Sequence, residues 1–429
     1  MTLRNAWLPG PTPTVWLLPA ILLLGCGDGD PAMPETLPEP TVVTADMARI
    51  TANWATGGGD VTSDGGARVT SRGVVWSTTR NPTVHDYLGF TGAGAGTGEF
   101  TCTMEGLAPE TTYFVRAYAT NSQGTAYGGE ISFTTGADPW TRKADYPGAG
   151  WTGHIAFSVG SKGYVGTGNQ PLSRDLWEYD PETDTWSQKT DLAGAARTSA
   201  IAFGVGDRGY VGMGWAGSED PMAIDLWKFD PATDQWTQVA DFPGPPRMAS
   251  RAVAFSIGTK AYFGIGDDRG GLNDFWEYDP STNSWTSRAA FPGAARGRAV
   301  GFAIGDKGYI GPGEAGTNSV YYRDFWEYDP GSDNWTRRRD FPGRERYGAV
   351  GFSVRGKGYV GTGSLWGERL FADMWEYDPA TDTWARVADY SGGEMSFAQS
   401  FIIGDKAYVA VGWSPVDFHL RDLWEFNPR

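Results

Sequence analysis

The side chains of this 429-residue chain that are best suited to chemistry are four tryptophans, three arginines and two acids. They are Trp151, Trp215, Trp366 and Trp413, then Arg197, Arg296 and Arg346, then Asp267 and Glu314. An indole face rewards stacking by dispersion and desolvation, while carboxylates and guanidiniums pair with hydroxyls. A pyranose asks for that combination, because its C–H face stacks and its hydroxyls hydrogen-bond. Opening a sugar ring asks for less, one positioned acid and one base. Glu314, Glu345 or Glu394 beside Arg296 or Arg346 would supply them. The plain alternative is that the tryptophans only pack long loops and the arginines only pin the scaffold.

Other chemistries are excluded by what the sequence lacks. Three histidines, at 85, 154 and 419, leave little for histidine-based metal catalysis, and His154 reads as a filled strand position. Two cysteines, Cys26 and Cys102, exclude a disulfide scaffold, a cysteine-rich zinc site and a cysteine-ligated iron–sulfur cluster. No P-loop, Gly-x-Ser-x-Gly elbow or His-Glu-x-x-His occurs. No catalytic set, metal or cofactor is expected. Acidic residues outnumber basic ones 51 to 35, for a net charge of −16. Nucleic acid is therefore not an expected partner, since phosphates must be met by clustered lysine and arginine.

The elements that must position these side chains come from one repeat. From residue 138 onward the pattern Asp-apolar-Trp-(Glu/Lys)-aromatic-(Asp/Asn)-Pro begins at Asp175, Asp225, Asp274, Asp324, Asp373 and Asp422. Its tryptophans recur every 49 or 50 residues, and in five copies a second tryptophan follows nine residues later. The last copy stops before its second tryptophan, and Trp140 to Pro147 at the other end supplies the missing piece. This period, with paired aromatics and a Gly-x-Gly strand end, resembles the kelch repeat, one four-stranded propeller blade per copy. The resemblance implies an all-β chain with a six-bladed kelch-type β-propeller over 137–429, closed by pairing the Trp140 strand with the C-terminal strands. Twelve tryptophans then wedge between blades and are not ligand sites. Galactose oxidase also has kelch-type blades, but its copper radical site needs a Cys–Tyr crosslink, and this region contains no cysteine. The resemblance in blade number to the periplasmic sialic acid mutarotase gives the ring-opening alternative its content.

In such a meander the variable connections all fall on one face. Aligned on Gly-x-Gly, they place Asn169, Trp215, Asp267, Glu314, Ser364 and Trp413 on one ring. The start of the inner strand offers a second ring: Trp151, Arg197, Ala249, Arg296, Arg346 and Met395. A rigid scaffold with one variable face puts recognition there, and a binding or adhesion role toward a carbohydrate or a protein is expected. A protein-interaction scaffold of the cell envelope is the first alternative, and the mutarotase-like enzyme is the second.

Residues 41–136 alternate strand-like runs with Gly- and Ser-rich breaks, as a β-sandwich would. The segment Gly106 to Tyr113 resembles the late part of fibronectin type III domains. The resemblance makes this an immunoglobulin-like, fibronectin type III-like sandwich, with Tyr113 as its corner tyrosine and Trp54 as its core tryptophan. A spacer joined to the propeller through a linker is its expected role. Ahead of it, residues 1–25 carry one charge, Arg4, then the apolar stretch Val15 to Leu24. The run Leu23-Leu24-Gly25-Cys26 resembles the lipobox of bacterial lipoproteins, which implies cleavage before Cys26 and acylation of its thiol. Residues 26–40 read as an acidic, Pro-rich tether, and the membrane becomes a partner through the N-terminal lipid. The protein is then expected at the periplasmic face or on the cell surface of a bacterium. Cys26→Ser is expected to move it from the membrane pellet to the soluble fraction on ultracentrifugation. Continued sedimentation with membranes would contradict the lipobox reading.

Overall fold

The computed structural model describes residues 37–148, 152–169, 171–217, 222–247, 252–266, 271–315, 320–365, 369–416 and 420–428. Cys26, Trp151, Asp267, Trp366 and His419 lie outside the described residues. All regular structure among those described is strand, and no helix is long and apolar enough to cross a membrane.

The N-terminal unit comprises β1 (Thr41–Ile50), β2 (Trp54–Ser63), β3 (Ser71–Ser77), β4 (Gly89–Gly92), β5 (Gly98–Glu105), β6 (Thr112–Thr120), β7 (Thr125–Tyr127) and β8 (Ile131–Thr134). One sheet runs β1-β2-β5 and the other β4-β3-β6-β7, with β8 also on β6. Their inner faces share a core of Ala55, Val74, Trp76, Met104, Tyr113 and Val115. Cys102 belongs to this core, and burial pushes its thiol pKa up, which keeps it unreactive. The expected core tryptophan needs correction. Trp76 fills the core, whereas Trp54, 2% exposed, is buried outward against the following domain, where its indole N–H donates to Val387 O at 2.7 Å. The linker expectation is corrected with it, because the two units touch directly.

After β9 (Trp140–Lys143) come six four-stranded antiparallel sheets. Sheet 1 spans 155–189, sheet 2 201–239, sheet 3 253–288, sheet 4 301–338 and sheet 5 350–386. Sheet 6 takes three strands from 399–426 and its fourth from β9, through Trp424↔Arg142 and Phe426↔Trp140. Each first strand lies against the first strands of the two neighbouring sheets, and the cycle closes between sheets 6 and 1. Position in this ring explains the composition of each strand. Second strands such as Lys162–Gly166 are covered on both faces and read as apolar runs, while outer fourth strands such as Thr185–Lys189 are mostly exposed and polar.

The motif's leading aspartate is the hub of each sheet. Its Oδ2 accepts the indole N–H two residues on, at 2.6–3.0 Å in all six copies. In sheets 2–5 a buried arginine arriving from the preceding connection forks onto the same carboxylate: Arg197 onto Asp225, Arg247 onto Asp274, Arg296 onto Asp324 and Arg346 onto Asp373. Burial pushes Asp225, Asp324 and Asp373 up, but the guanidinium more than offsets it and holds all three below the usual carboxylate range. Sheet 6 has Met395 in the arginine's place. There Asp422 Oδ1 is buried without a partner, and burial raises its pKa despite the bond from Trp424.

Sheets 1 and 6 also differ from sheets 2–5 in the residue ahead of that position. Phe242, Phe291 and Phe341 lie under the guanidiniums, while Tyr146 and Tyr390 stand where no arginine follows. Tyr146 donates to Asp175 at 3.2 Å, but the Tyr390 hydroxyl is buried without a partner. A carboxyl whose folded pKa is raised loses stability as pH rises through that value, whereas a paired one gains it. Met395→Arg combined with Tyr390→Phe, which restores the repeat, is expected to add roughly 1–3 kcal/mol at pH 7. The gain should shrink as pH falls through the usual aspartate range at about 4, and vanish only below the lowered pKa of the paired carboxyl, where Asp422 is protonated in both proteins. Chemical denaturation across that range is the measurement, and no gain at pH 7 would contradict it.

Candidate functional site

The inner strands surround a cavity of about 500 Å³, lined along its length by small residues such as Ala156, Ala202, Ala254 and Ala299. Its walls are strands carrying alternating small side chains, so the channel itself offers little chemistry. Chemistry collects at one mouth, where the connections enter the inner strands.

A collar of left-handed backbone forms that mouth. Gly153, Ser199, Arg298, Gly348 and Phe397 have φ of 73°, 58°, 50°, 61° and 60° and occupy equivalent positions in sheets 1, 2, 4, 5 and 6. Three of these are not glycine, a conformation that carries strain unless the surroundings impose it. Backbone bonds between neighbouring sheets impose it here. Ser199 N donates to Gly153 O at 2.8 Å, Gly348 N to Arg298 O at 3.1 Å, and Phe397 N to Gly348 O at 2.8 Å.

The expected ring of variable residues sits directly outside the collar. Trp215, Glu314, Ser364 and Trp413 each exchange two backbone bonds with the residue before a collar position, namely Thr198, Gly297, Tyr347 and Ser396. Asn169 holds the same place in sheet 1, donating from its backbone to Thr152 O at 3.1 Å. The structure therefore brings Trp215, Glu314 and Trp413 onto one rim, and both tryptophans are half-buried. Sheets 6, 1 and 2 are consecutive, so Trp413, Asn169 and Trp215 form an arc. Glu345 and Glu394 are exposed, away from any carboxylate–guanidinium pairing seen here.

The arginine ring is a correction. Arg197, Arg296 and Arg346 are 0% exposed, and their aspartate forks leave nothing aimed at a ligand. Each also spends Nε on a carbonyl two residues back and Nη1 on the end of the second strand, as Arg346 does with Arg344 O and Thr362 O. Four of its five N–H groups are used within the protein. In sheet 3 Ala249 lies outside the described residues, and the arginine that forks onto the hub aspartate is Arg247, which flanks it in sequence.

Among the described residues the cation that does reach the mouth is Arg298, which the sequence reading missed. It lines the cavity, donates to Glu314 Oε1 at 2.6 Å, and lies 5.2 Å from the Tyr347 ring and 5.5 Å from that of Phe397. Tyr321 stacks on Tyr347 at 5.9 Å. The clue was departure from the repeat, since the other described collar positions, in sheets 1, 2, 5 and 6, hold glycine, serine or phenylalanine. His154 is 4% exposed and packs edge-on to Tyr146, at 5.6 Å, beneath the same mouth.

Comparison with known proteins agrees with this architecture. Residues 153–346 match the family model described as the KLHDC2/KLHL20/DRC7 Kelch-repeats domain. No curated protein matches the chain. Among solved structures, "Structure of YjhT" superposes with a TM-score of 0.56 at 15% identity, covering 66% of this chain and 95% of the other. At that identity the likeness shows the fold alone. Residues 153–346, less than half of the chain, are thus similar to a kelch-repeat domain, and the ring of sheets has a propeller-type fold.

Proposed function

We propose that this chain is an exported, lipid-anchored binding protein whose six sheets are the blades of one kelch propeller and whose ligand is a carbohydrate seated on the collar. The single observation that carries the ligand reading is Arg298. It is held in a left-handed conformation at the cavity mouth, against a pair of touching aromatic rings and beside Glu314. Strain of this kind persists where the surroundings demand it, and it clusters at ligand sites. The Trp413–Trp215 arc adds aromatic surface on the same rim. Among the described residues of the ring, the exposed large apolar side chains are Ile224, Val320 and Val416, from sheets 2, 4 and 6, alternate members of the ring. That spacing supports a polar-ligand site over the continuous apolar patch of a protein scaffold. For the N-terminal unit, an immunoglobulin-like reading is supported by its two-sheet order and by the Ala108 N–H, which donates to the Tyr113 hydroxyl at 2.9 Å. The address rests on the run ending at Cys26.

A sugar mutarotase is the second reading, favoured by the Arg298–Glu314 pair, a carboxylate and a cation side by side at the mouth. One experiment separates the possibilities. In a glycan screen followed by titration, Arg298→Ala and Trp413→Ala are each expected to weaken the best binder about tenfold or more, roughly 1.4 kcal/mol, with an unchanged melting temperature. Absence of any bound glycan would overturn the carbohydrate reading and move a protein partner to the front. Faster anomer exchange of the bound sugar by NMR, abolished in Glu314→Gln, would establish the mutarotase instead.

A further inference from the structure

Neighbouring sheets of the ring are fastened by a two-bond clasp that repeats around the circle. In each, the second tryptophan of one sheet donates its indole N–H to a carbonyl at the end of the preceding sheet's outer strand. The residue two before that tryptophan accepts the same strand end's N–H. Between sheets 6 and 1 the bonds are Trp186 to Ala144 O at 2.8 Å and Ala144 N to Asp184 at 2.9 Å. The clasp recurs at Thr190, Ala240, Ala289 and Arg339, with bonds of 2.9–3.1 Å.

The junction between sheets 5 and 6 departs from this pattern. The tryptophan there is Trp140, on the strand that closes the ring, and its indole nitrogen is buried without a partner. The equivalent acid, Asp138, accepts the Ser391 hydroxyl and the Trp140 backbone N–H instead. Tyr390 and Asp422 add two more unpartnered buried atoms at the same seam. Buried polar groups left this way cost stability, so the closing junction is the weakest in the ring.

The N-terminal unit covers that junction with the missing chemistry. Asn53 Oδ1 accepts from Asp389 N at 3.1 Å, and the Trp54 indole donates to Val387 O at 2.7 Å. These two groups flank Ala388, the position corresponding to Arg339 in the sheet before. Asn53 also returns a bond to Asp389 O at 3.3 Å. Arg386 lies 4.9 Å from the Trp54 ring and bonds Glu105 at 3.1 Å. Its side chain is 19% exposed, whereas Arg142 and Arg337, at the same place in their own sheets, are 59% and 57% exposed.

We propose that the N-terminal unit is the latch of the propeller: a side-chain oxygen and an indole N–H from Asn53 and Trp54 replace, from outside the ring, the clasp that the closing junction lacks. Its surface partner is thus sheet 5 of its own chain, and the unit is not a free spacer. Hydrogen exchange on the full chain tests this with Asn53→Ala and, separately, Trp54→Phe, which keeps the ring and removes the donor. The Asp389 amide and those of β9 are expected to exchange at least tenfold faster in both variants, with β6 in the N-terminal unit unchanged. Calorimetry should show one transition in the parent chain and two in the variants. Unchanged exchange at Asp389 and β9, or lost protection confined to β2 and β6, overturns the proposal.

Discussion

One half-buried carboxylate per sheet organises this molecule. The aspartate that opens each repeat lies where the third strand begins, and it accepts an indole N–H from its own sheet. In four sheets it also receives a guanidinium carried in on the preceding connection, which ties that connection to the sheet it is about to enter. A buried ion pair contributes little net stability against an apolar substitute, but removing one partner strands the other. Its value here is positional: the arginine fixes the chain two residues before the collar, and the collar sets the mouth of the channel.

That chain of consequence explains why a strained ring can exist at all. In sheets 2, 4 and 5 an arginine fork on one side and inter-sheet backbone bonds on the other hold the collar residue, while in sheet 6 backbone bonds hold Phe397 without a fork. Where the position holds glycine there is no strain and no side chain. Where it holds Arg298 or Phe397, the same backbone directs a functional group over the cavity. Specificity is thereby confined to positions the scaffold does not need.

The closing junction shows what happens when the hub is incomplete. Sheet 6 combines a missing arginine, an unpartnered Trp140 and a raised Asp422, all at the place where two ends of the chain meet. Ring closure removes the sheet edges, but it does so with four backbone-paired residues of β9, a short strand. The packing of the N-terminal unit over Arg386 and Asp389 falls on this junction, the place where the repeat's own bonds give out.

The sequence alone determined the repeat, the register of its aromatics and the ring of Trp215, Glu314, Ser364 and Trp413, because a period near 50 forces equivalent residues into equivalent places. It also excluded copper-radical chemistry through its lack of cysteine in the repeats. It misassigned Arg197, Arg296 and Arg346, since an arginine that pairs inside a sheet and one that faces a ligand look alike until the carboxylate 27 or 28 residues away is seen to reach it. Arg298 was hidden beside Arg296 for the same reason. Trp54 read as a core residue because burial against a neighbouring domain and burial in a domain's own core leave the same composition. Which groups pair, which remain for a ligand, and which hold one domain to another are decided by contacts between residues far apart in the chain, and only the tertiary structure contains those.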